Sequence, residues 1–197
     1  MILAEGFNTN IHLALVHFPV YNKFGEIVAS SVTTLDVHDI SRICRTFALG
    51  SFYVDTPLKA QQDLVGRLID HWVKGFGGEY NPTRKESLLN TTVVSSLAEA
   101  VEKIEQTTGQ TPKTIVTGAR RLEQSVGYET MRGTLKDGHH LLIFGTGWGL
   151  EKSIVRRADY ALSPIDGVQE YNHLPVRAAI AIILDRLLGT GREQPGA

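Results

Sequence analysis

Three segments of the chain carry residue types at spacings that do chemistry. The first is Gly145-Thr146-Gly147-Trp148-Gly149-Leu150, directly after a strongly apolar run. Glycine at every second position lets a backbone approach a ligand closely and offer its N–H and C=O groups, as nucleotide sites often do. No Gly-Lys-Ser/Thr follows, so this is not a phosphate-binding P-loop. Leu150 stands where the dinucleotide fingerprint needs its third glycine. Taken alone, the segment is either a ligand loop or a glycine turn into a helix. The second segment is Leu162-Ser163-Pro164-Ile165-Asp166-Gly167, followed closely by Tyr171-Asn172-His173-Leu174. Tight loops leaving the ends of neighbouring strands form the crevice where open α/β sheets bind small molecules. The plain alternative is ordinary turns and a helix start, with Pro175 in the first turn. The third segment runs from Asp36 to Thr46. Arg42 and Arg45 on one helical face present two cations to a phosphate, with His38 and Asp39 one turn earlier. A solvated face in which Asp39 pairs with Arg42 is the competing account.

These segments need elements to hold them. Ile11 to Phe18 is an apolar run closed by Pro19 and the turn residues Asn22 to Gly25, as a buried strand demands. Ile27 to Thr34, rich in β-branched residues, predicts another extended piece. Asp36 is the expected cap of a helix from Val37 to about Ala48, with Val37, Ile40, Cys44 and Phe47 at helical spacing. Ser51 to Val54 predicts a strand. Pro57 opens a helix whose Leu64, Val65, Leu68, Ile69, Trp72 and Val73 form one stripe ending by Gly75. Gly75 to Pro82 is a turn-rich connection. Strands follow at Thr91 to Ser95, Lys113 to Thr117 and His140 to Phe144. Helices follow from the Ser96 cap, at Gly127 to Leu135 and at Leu174 to Leu188. The alternation predicts an α/β domain with a mainly parallel sheet covered by helices on both faces. Val176 to Leu184 is apolar all round except for Arg177, so the closing helix is either central in the core or divided between core and a subunit interface.

A length of 197 residues fits one domain spanning residues 1–197, with residues 1–10 expected to be a frayed arm. Hydrophobic residues at 42% and charged residues at 21% describe an ordinary globular protein rather than a disordered or membrane one. Twenty basic against 21 acidic side chains exclude a polybasic wrapping protein, so any nucleic-acid contact must use a local patch or charge pooled from two subunits. The basic pairs Arg84-Lys85, Arg120-Arg121 and Arg156-Arg157 are the candidates. One cysteine, Cys44, excludes an internal disulfide, and no multi-cysteine metal site is spelled. Neither a membrane span nor a signal peptide is evident, and a cytoplasmic location is expected.

His17-Phe-Pro-Val-Tyr, Asp36-Val-His-Asp-Ile, Tyr80-Asn-Pro, Phe144-Gly-Thr-Gly-Trp-Gly-Leu150 and Tyr171-Asn-His-Leu, taken together and in order, resemble the SPOUT superfamily of S-adenosylmethionine-dependent RNA methyltransferases. Within it, the chain is most similar to a bacterial group found alone or fused to a tRNA guanine methyltransferase. The resemblance covers nearly the whole chain. It implies a C-terminal deep trefoil knot, a homodimer, S-adenosylmethionine as donor and no metal. It also implies that three loops hold the donor: Thr117 and Gly118, then Gly145 to Leu150, then Leu162, Ser163, Pro164, Ile165 and Gly167. Tyr171, Asn172, His173 and Leu174 finish that pocket, with backbone groups on the adenine edge and apolar side chains over its faces.

The resemblance extends to the ribose-methylating branch, whose first motif carries a His-Asn pair and then Arg-Thr. Those fall here on His38, Asp39, Arg45 and Thr46, with aspartate replacing asparagine. The superfamily's glutamate in the glycine loop has no counterpart among Thr146, Gly147 and Trp148, and the third motif falls on Tyr171 and His173 or, by one residue, on Asn172. A guanidinium with a pKa above about 12 is no base. Arg45 is therefore expected to bind an RNA phosphate, whereas His38 or His173 is the better proton acceptor. The expected partners are tRNA or rRNA, a second copy, and a partner methyltransferase. Ribose oxygen and base atom both remain open as targets. The competing function is a donor-binding sensor or accessory module without methyl transfer, and a nicotinamide oxidoreductase fails on the dinucleotide spacing.

Overall fold

The computed structural model describes residues 8–169 and 171–189. Of the arm expected at residues 1–10, residues 1–7 lie outside the described residues, and residues 8–10 already belong to a strand. That strand, β1 (Asn8–Val16), is the third of a seven-stranded sheet. The other members are β4 (Leu49–Asp55), β5 (Thr91–Val94), β6 (Lys113–Val116), β7 (Ser125–Val126), β8 (His140–Gly145) and β9 (Tyr160–Leu162). The order is β5-β4-β1-β8-β6-β9-β7, and every pairing is parallel, as the unbroken apolar strand runs require. A two-stranded antiparallel ribbon, β2 (Val20–Tyr21) and β3 (Ile27–Val28), stands apart from the sheet.

Both faces are covered. Leu13 and Leu15 of β1 pack on one side with Val37, Ile40 and Cys44 of α1 (Thr34–Thr46), Val65 of α2 (Lys59–Val73) and Met131 of α6 (Tyr128–Thr134). Ile180, Ile183, Leu184 and Leu187 of α8 (Val176–Leu188) join them, each worth roughly 1.5–3 kcal/mol of burial. Ala14 and Val16 face the other side, with Ala100 and Ile104 of α5 (Leu97–Thr108) and the half-buried Ile154 and Val155 of α7 (Lys152–Arg157). Burial drives the Cys44 thiol pKa up, so this cysteine is an inert core side chain.

Several boundaries differ from expectation for identifiable reasons. Thr33, not Asp36, caps α1: its hydroxyl accepts the Asp36 N–H at 3.1 Å and donates to the Asp36 carboxylate at 2.6 Å, which starts the helix at Thr34. The extended piece expected over Ile27 to Thr34 therefore shrinks to Ile27–Val28. The connection expected over Gly75 to Pro82 folds instead as α3 (Phe76–Tyr80), then α4 (Pro82–Leu88), which Asn81 caps through the Arg84 N–H. The closing helix begins at Val176, two residues after Leu174, and β7 and α7 carry too few apolar residues to show a period. Among the described residues, no helix is long and apolar enough to cross a membrane.

Candidate functional site

The strands β8, β6 and β9 are neighbours, so the three loops singled out in the sequence leave the same carboxyl edge of the sheet side by side. Cross-ties hold them. The Thr117 N–H and hydroxyl both donate to the Ile143 carbonyl at 3.0 Å, and the Ser163 N–H donates to the Val126 carbonyl at 2.9 Å. Arg121 pairs with Asp166 at 2.6 Å, joining the loop after β6 to the loop after β9. The Asn172 side-chain amide donates to the Ala119 carbonyl at 3.1 Å and brings in the last segment. A Cβ on Gly118 would meet nothing within 4 Å. Leu162 and Leu150 are buried at the foot of these loops, in the clusters on opposite faces of the sheet. Trp148, Tyr171 and Leu174 remain exposed beside the loops, with Tyr171 edge-on to His173 at 5.3 Å.

The glycine loop is braced by a segment that the sequence did not assign to it. The Trp148 N–H donates to the Tyr21 carbonyl and the Tyr21 N–H to the Gly149 carbonyl, both at 2.9 Å, while the Glu151 N–H reaches the Pro19 carbonyl at 3.2 Å. The loop thus lies antiparallel along Pro19–Tyr21 and commits some of the backbone groups expected to face a ligand. Gly147 (φ +58°) and Gly149 (φ +107°) occupy the left-handed region that favours glycine. A Cβ on Gly145 would strike Leu150 at 2.8 Å, and one on Gly147 would strike the Tyr21 carbonyl at the same distance.

Beneath the loop runs a relay of hydroxyls. Thr146 donates to the Val16 carbonyl at 3.0 Å and lies 2.5 Å from the Ser30 hydroxyl, which lies 3.0 Å from Nδ1 of His17. The Thr146 proton is committed, so Ser30 donates to Thr146 and His17 Nδ1–H donates to Ser30. That tautomer leaves His17 Nε2 as a buried, unpartnered acceptor. Burial holds the His17 pKa down at about 4, against an opposing pull from Asp36, and the ring is neutral.

The charged and histidine side chains of α1 do not share one face. Asp36 and Asp39 turn to α8, where Arg177 binds them at 3.3 Å (Nε to Asp36) and 3.1 Å (Nη1 to Asp39). Asp39 is therefore not paired with Arg42 as the competing account had it. Arg177, the one charged residue of the apolar stretch Val176 to Leu184, latches α8 to α1. His38, Arg42 and Arg45 face α2 and α4. His38 meets the Trp72 ring edge-on at 5.7 Å, and Arg84 stacks on the same indole at 4.7 Å. Burial first, and then the Arg84 charge, lower the His38 pKa against the opposing pull of Asp39. Arg45 forms an ion pair with Glu86, its Nε at 2.8 Å from the carboxylate. Because α1 runs back from the carboxyl edge, Arg45 stands about 10 Å further along the axis than His38.

Arg42, Arg45, Asn81, Thr83 and Arg84 line a cleft of about 310 Å³. A larger cavity, about 690 Å³, lies at the opposite, amino edge of the sheet, lined by Asn10, Arg132 and His139 among others, and contains none of the loops.

A family model described as SAM-dependent RNA methyltransferase matches residues 10–189. A tRNA (guanine-N(1)-)-methyltransferase of Oleidesulfovibrio alaskensis is 46% identical over 180 residues, which are 91% of this chain and 42% of that protein. An uncharacterized protein of Aquifex aeolicus is 38% identical over 187 residues, covering 94% of this chain and 91% of that one. The chain thus spans less than half the length of the first relative and nearly all of the second. The crystal structure of a TrmH/SpoU tRNA modifying enzyme of A. aeolicus shares the fold, with a TM-score of 0.54 at 14% identity over 92% of this chain and 75% of that one.

Proposed function

The chain belongs to the SAM-dependent RNA methyltransferases, and we propose that it is of the SPOUT type and moves the methyl group of S-adenosylmethionine to a tRNA or rRNA nucleotide. The observation that carries the reading is the gathering of the loops after β6, β8 and β9 at one edge, tied by Arg121–Asp166 and Asn172–Ala119 and framed by exposed apolar side chains. Thr117, Gly118, Gly145 to Leu150, Leu162 to Ile165, Gly167 and Tyr171 to Leu174 hold the donor. The C-terminal part passes through a trefoil knot there, and residues 1–197 act as one domain.

The donor supplies a methyl on a positively charged sulfur, transferred by in-line displacement. The chain's part is to hold nucleophile and methyl carbon about 3–3.5 Å apart and to take the nucleophile's proton. His38, kept neutral by burial and Arg84, is fitted to accept it, with His173 as the second candidate. Asp39 positions α1 through Arg177, and Asn172 ties the last pocket segment to the loop after β6. Arg45 binds an RNA phosphate, exchanging its Glu86 partner for the ligand.

Calorimetry with S-adenosylhomocysteine should show one site per chain, and folded protein that binds none overturns the donor assignment. Arg45→Ala should keep that site and lose tenfold or more of the methyl incorporated from labelled donor into tRNA or rRNA. Unchanged turnover and RNA affinity remove Arg45 from the site.

A homodimer is the proposed assembly. Ala178, Ala179, Ala181 and Ile182 of α8 stay only half-buried, an apolar face suited to a second copy. Light scattering at micromolar concentration should give twice the chain mass, and a monomer mass refutes it. The relative from O. alaskensis carries a segment like this one within a chain more than twice as long, which supports a tRNA guanine methyltransferase as a working partner.

A further inference from the structure

Helix α3, Phe76-Gly-Gly-Glu-Tyr80, is packed inside out. Its glycines are buried against the end of α2: a Cβ on Gly77 would lie 2.7 Å from the His71 ring, and one on Gly78 would collide with the Trp72 carbonyl. Its two aromatic rings face solvent, Phe76 at 72% exposure and Tyr80 at 79%, stacked at 6.3 Å and 29°. Burial physics alone would place the rings inside and the small residues outside. The close glycine packing fixes the helix, and with it two rings one turn apart, on the surface.

The surroundings are basic. Arg84 follows Tyr80 by four residues and lies over the Trp72 ring, and Arg42 lines the same cleft from α1. Lys85 is exposed beside them. Of the nearby acids, Asp70 is engaged by Lys74 at 2.7 Å and Glu86 by Arg45, leaving Glu79 as the acidic residue of the outward face. Exposed stacked rings next to guanidiniums are the combination that takes unpaired bases together with their phosphates.

We propose that α3 and the adjoining cleft form a docking site for single-stranded RNA, in which bases stack on Phe76 and Tyr80 and the backbone phosphates lie between Arg42 and Arg84. The site is separate from the donor loops and grips RNA beside the target nucleotide. It rests on the RNA methyltransferase reading given above.

The test is fluorescence anisotropy with a labelled single-stranded oligoribonucleotide and with unfractionated tRNA, on the full chain. The Phe76→Ala/Tyr80→Ala variant, whose rings support no core, should bind RNA tenfold or more weakly while binding S-adenosylhomocysteine as before. Tyr80→Trp, which keeps an aromatic ring at this position, should bind RNA as tightly as the wild type. Arg42→Gln/Arg84→Gln should lower affinity and flatten the salt dependence. Wild-type affinity in the alanine double variant overturns the docking site and leaves the methyltransferase reading intact. A wild-type chain that binds S-adenosylhomocysteine but no RNA overturns both. Loss of dimer mass in the alanine variant overturns the proposal in favour of a second copy as the occupant.

Discussion

Gly147→Ala will lower S-adenosylhomocysteine affinity by tenfold or more and destabilise the chain by about 2 kcal/mol. The backbone at this position lies at φ +58°, where a side chain costs roughly 1–2 kcal/mol, and the new Cβ would lie 2.8 Å from the Tyr21 carbonyl. That carbonyl accepts the Trp148 N–H, so relief of the clash pulls Trp148 away from Pro19–Tyr21 and unzips the loop proposed to hold the donor. Displacing the loop at a cost of about 1.4 kcal/mol already means a factor of ten in binding. Calorimetry and thermal melts check both effects. Gly118→Ala is the counterpart: its Cβ meets no protein atom within 4 Å, so the melting temperature should hold while donor affinity falls. Full donor affinity in both variants would remove the two glycines from the pocket.

The brace explains why part of the site was legible in the sequence and part was not. Apolar strand runs ending in Gly-Thr-Gly, Thr-Gly and Ser-Pro announce loops at strand ends, and strand adjacency then brings them together, because β8, β6 and β9 are neighbours. Nothing in the spacing places Tyr21 on Gly149 or Ser30 on Thr146, since these contacts join positions more than 100 residues apart through hydroxyl and backbone groups that carry no pattern. Arg177 did leave a signal. A cation at the start of the apolar stretch Val176 to Leu184 calls for a carboxylate on the element packed against it, and Asp36 and Asp39, three apart on a helix, supply two at the right pitch. Helix α3 left none, because Gly-Gly with flanking aromatics has the composition of a turn, and it is helical only because α2 offers a surface that admits no Cβ.

Stability should peak near pH 6.5 and fall on both sides, and Asp55→Asn should abolish most of the fall on the alkaline side. Asp55 ends β4 at 1% exposure, with no hydrogen-bond partner on either carboxylate oxygen. Burial, and then the nearby Glu99, push its pKa up to about 7. A carboxylic acid with a folded pKa above its unfolded value of about 3.9 holds its proton in the folded chain and loses it in the unfolded one. Its contribution therefore declines as pH rises from about 4 to about 7 and is flat beyond. His12 and His17 act in the opposite sense. Burial lowers both to about 4, with His139 and His140 adding to the effect on His12, so stability is lost as pH falls from about 6.5 towards 4. Two histidines outweigh one carboxylate below pH 6.5, and above it only Asp55 of these three groups still titrates. An asparagine at this position keeps the shape and carries no charge, so the stabilisation conferred by Asp55→Asn should grow by roughly 2 kcal/mol between pH 5 and pH 8. Urea denaturation of both chains at the two pH values measures it. A constant difference between them would mean that Asp55 is ionised in the folded protein throughout, with its charge met by a group or water that its present surroundings do not supply.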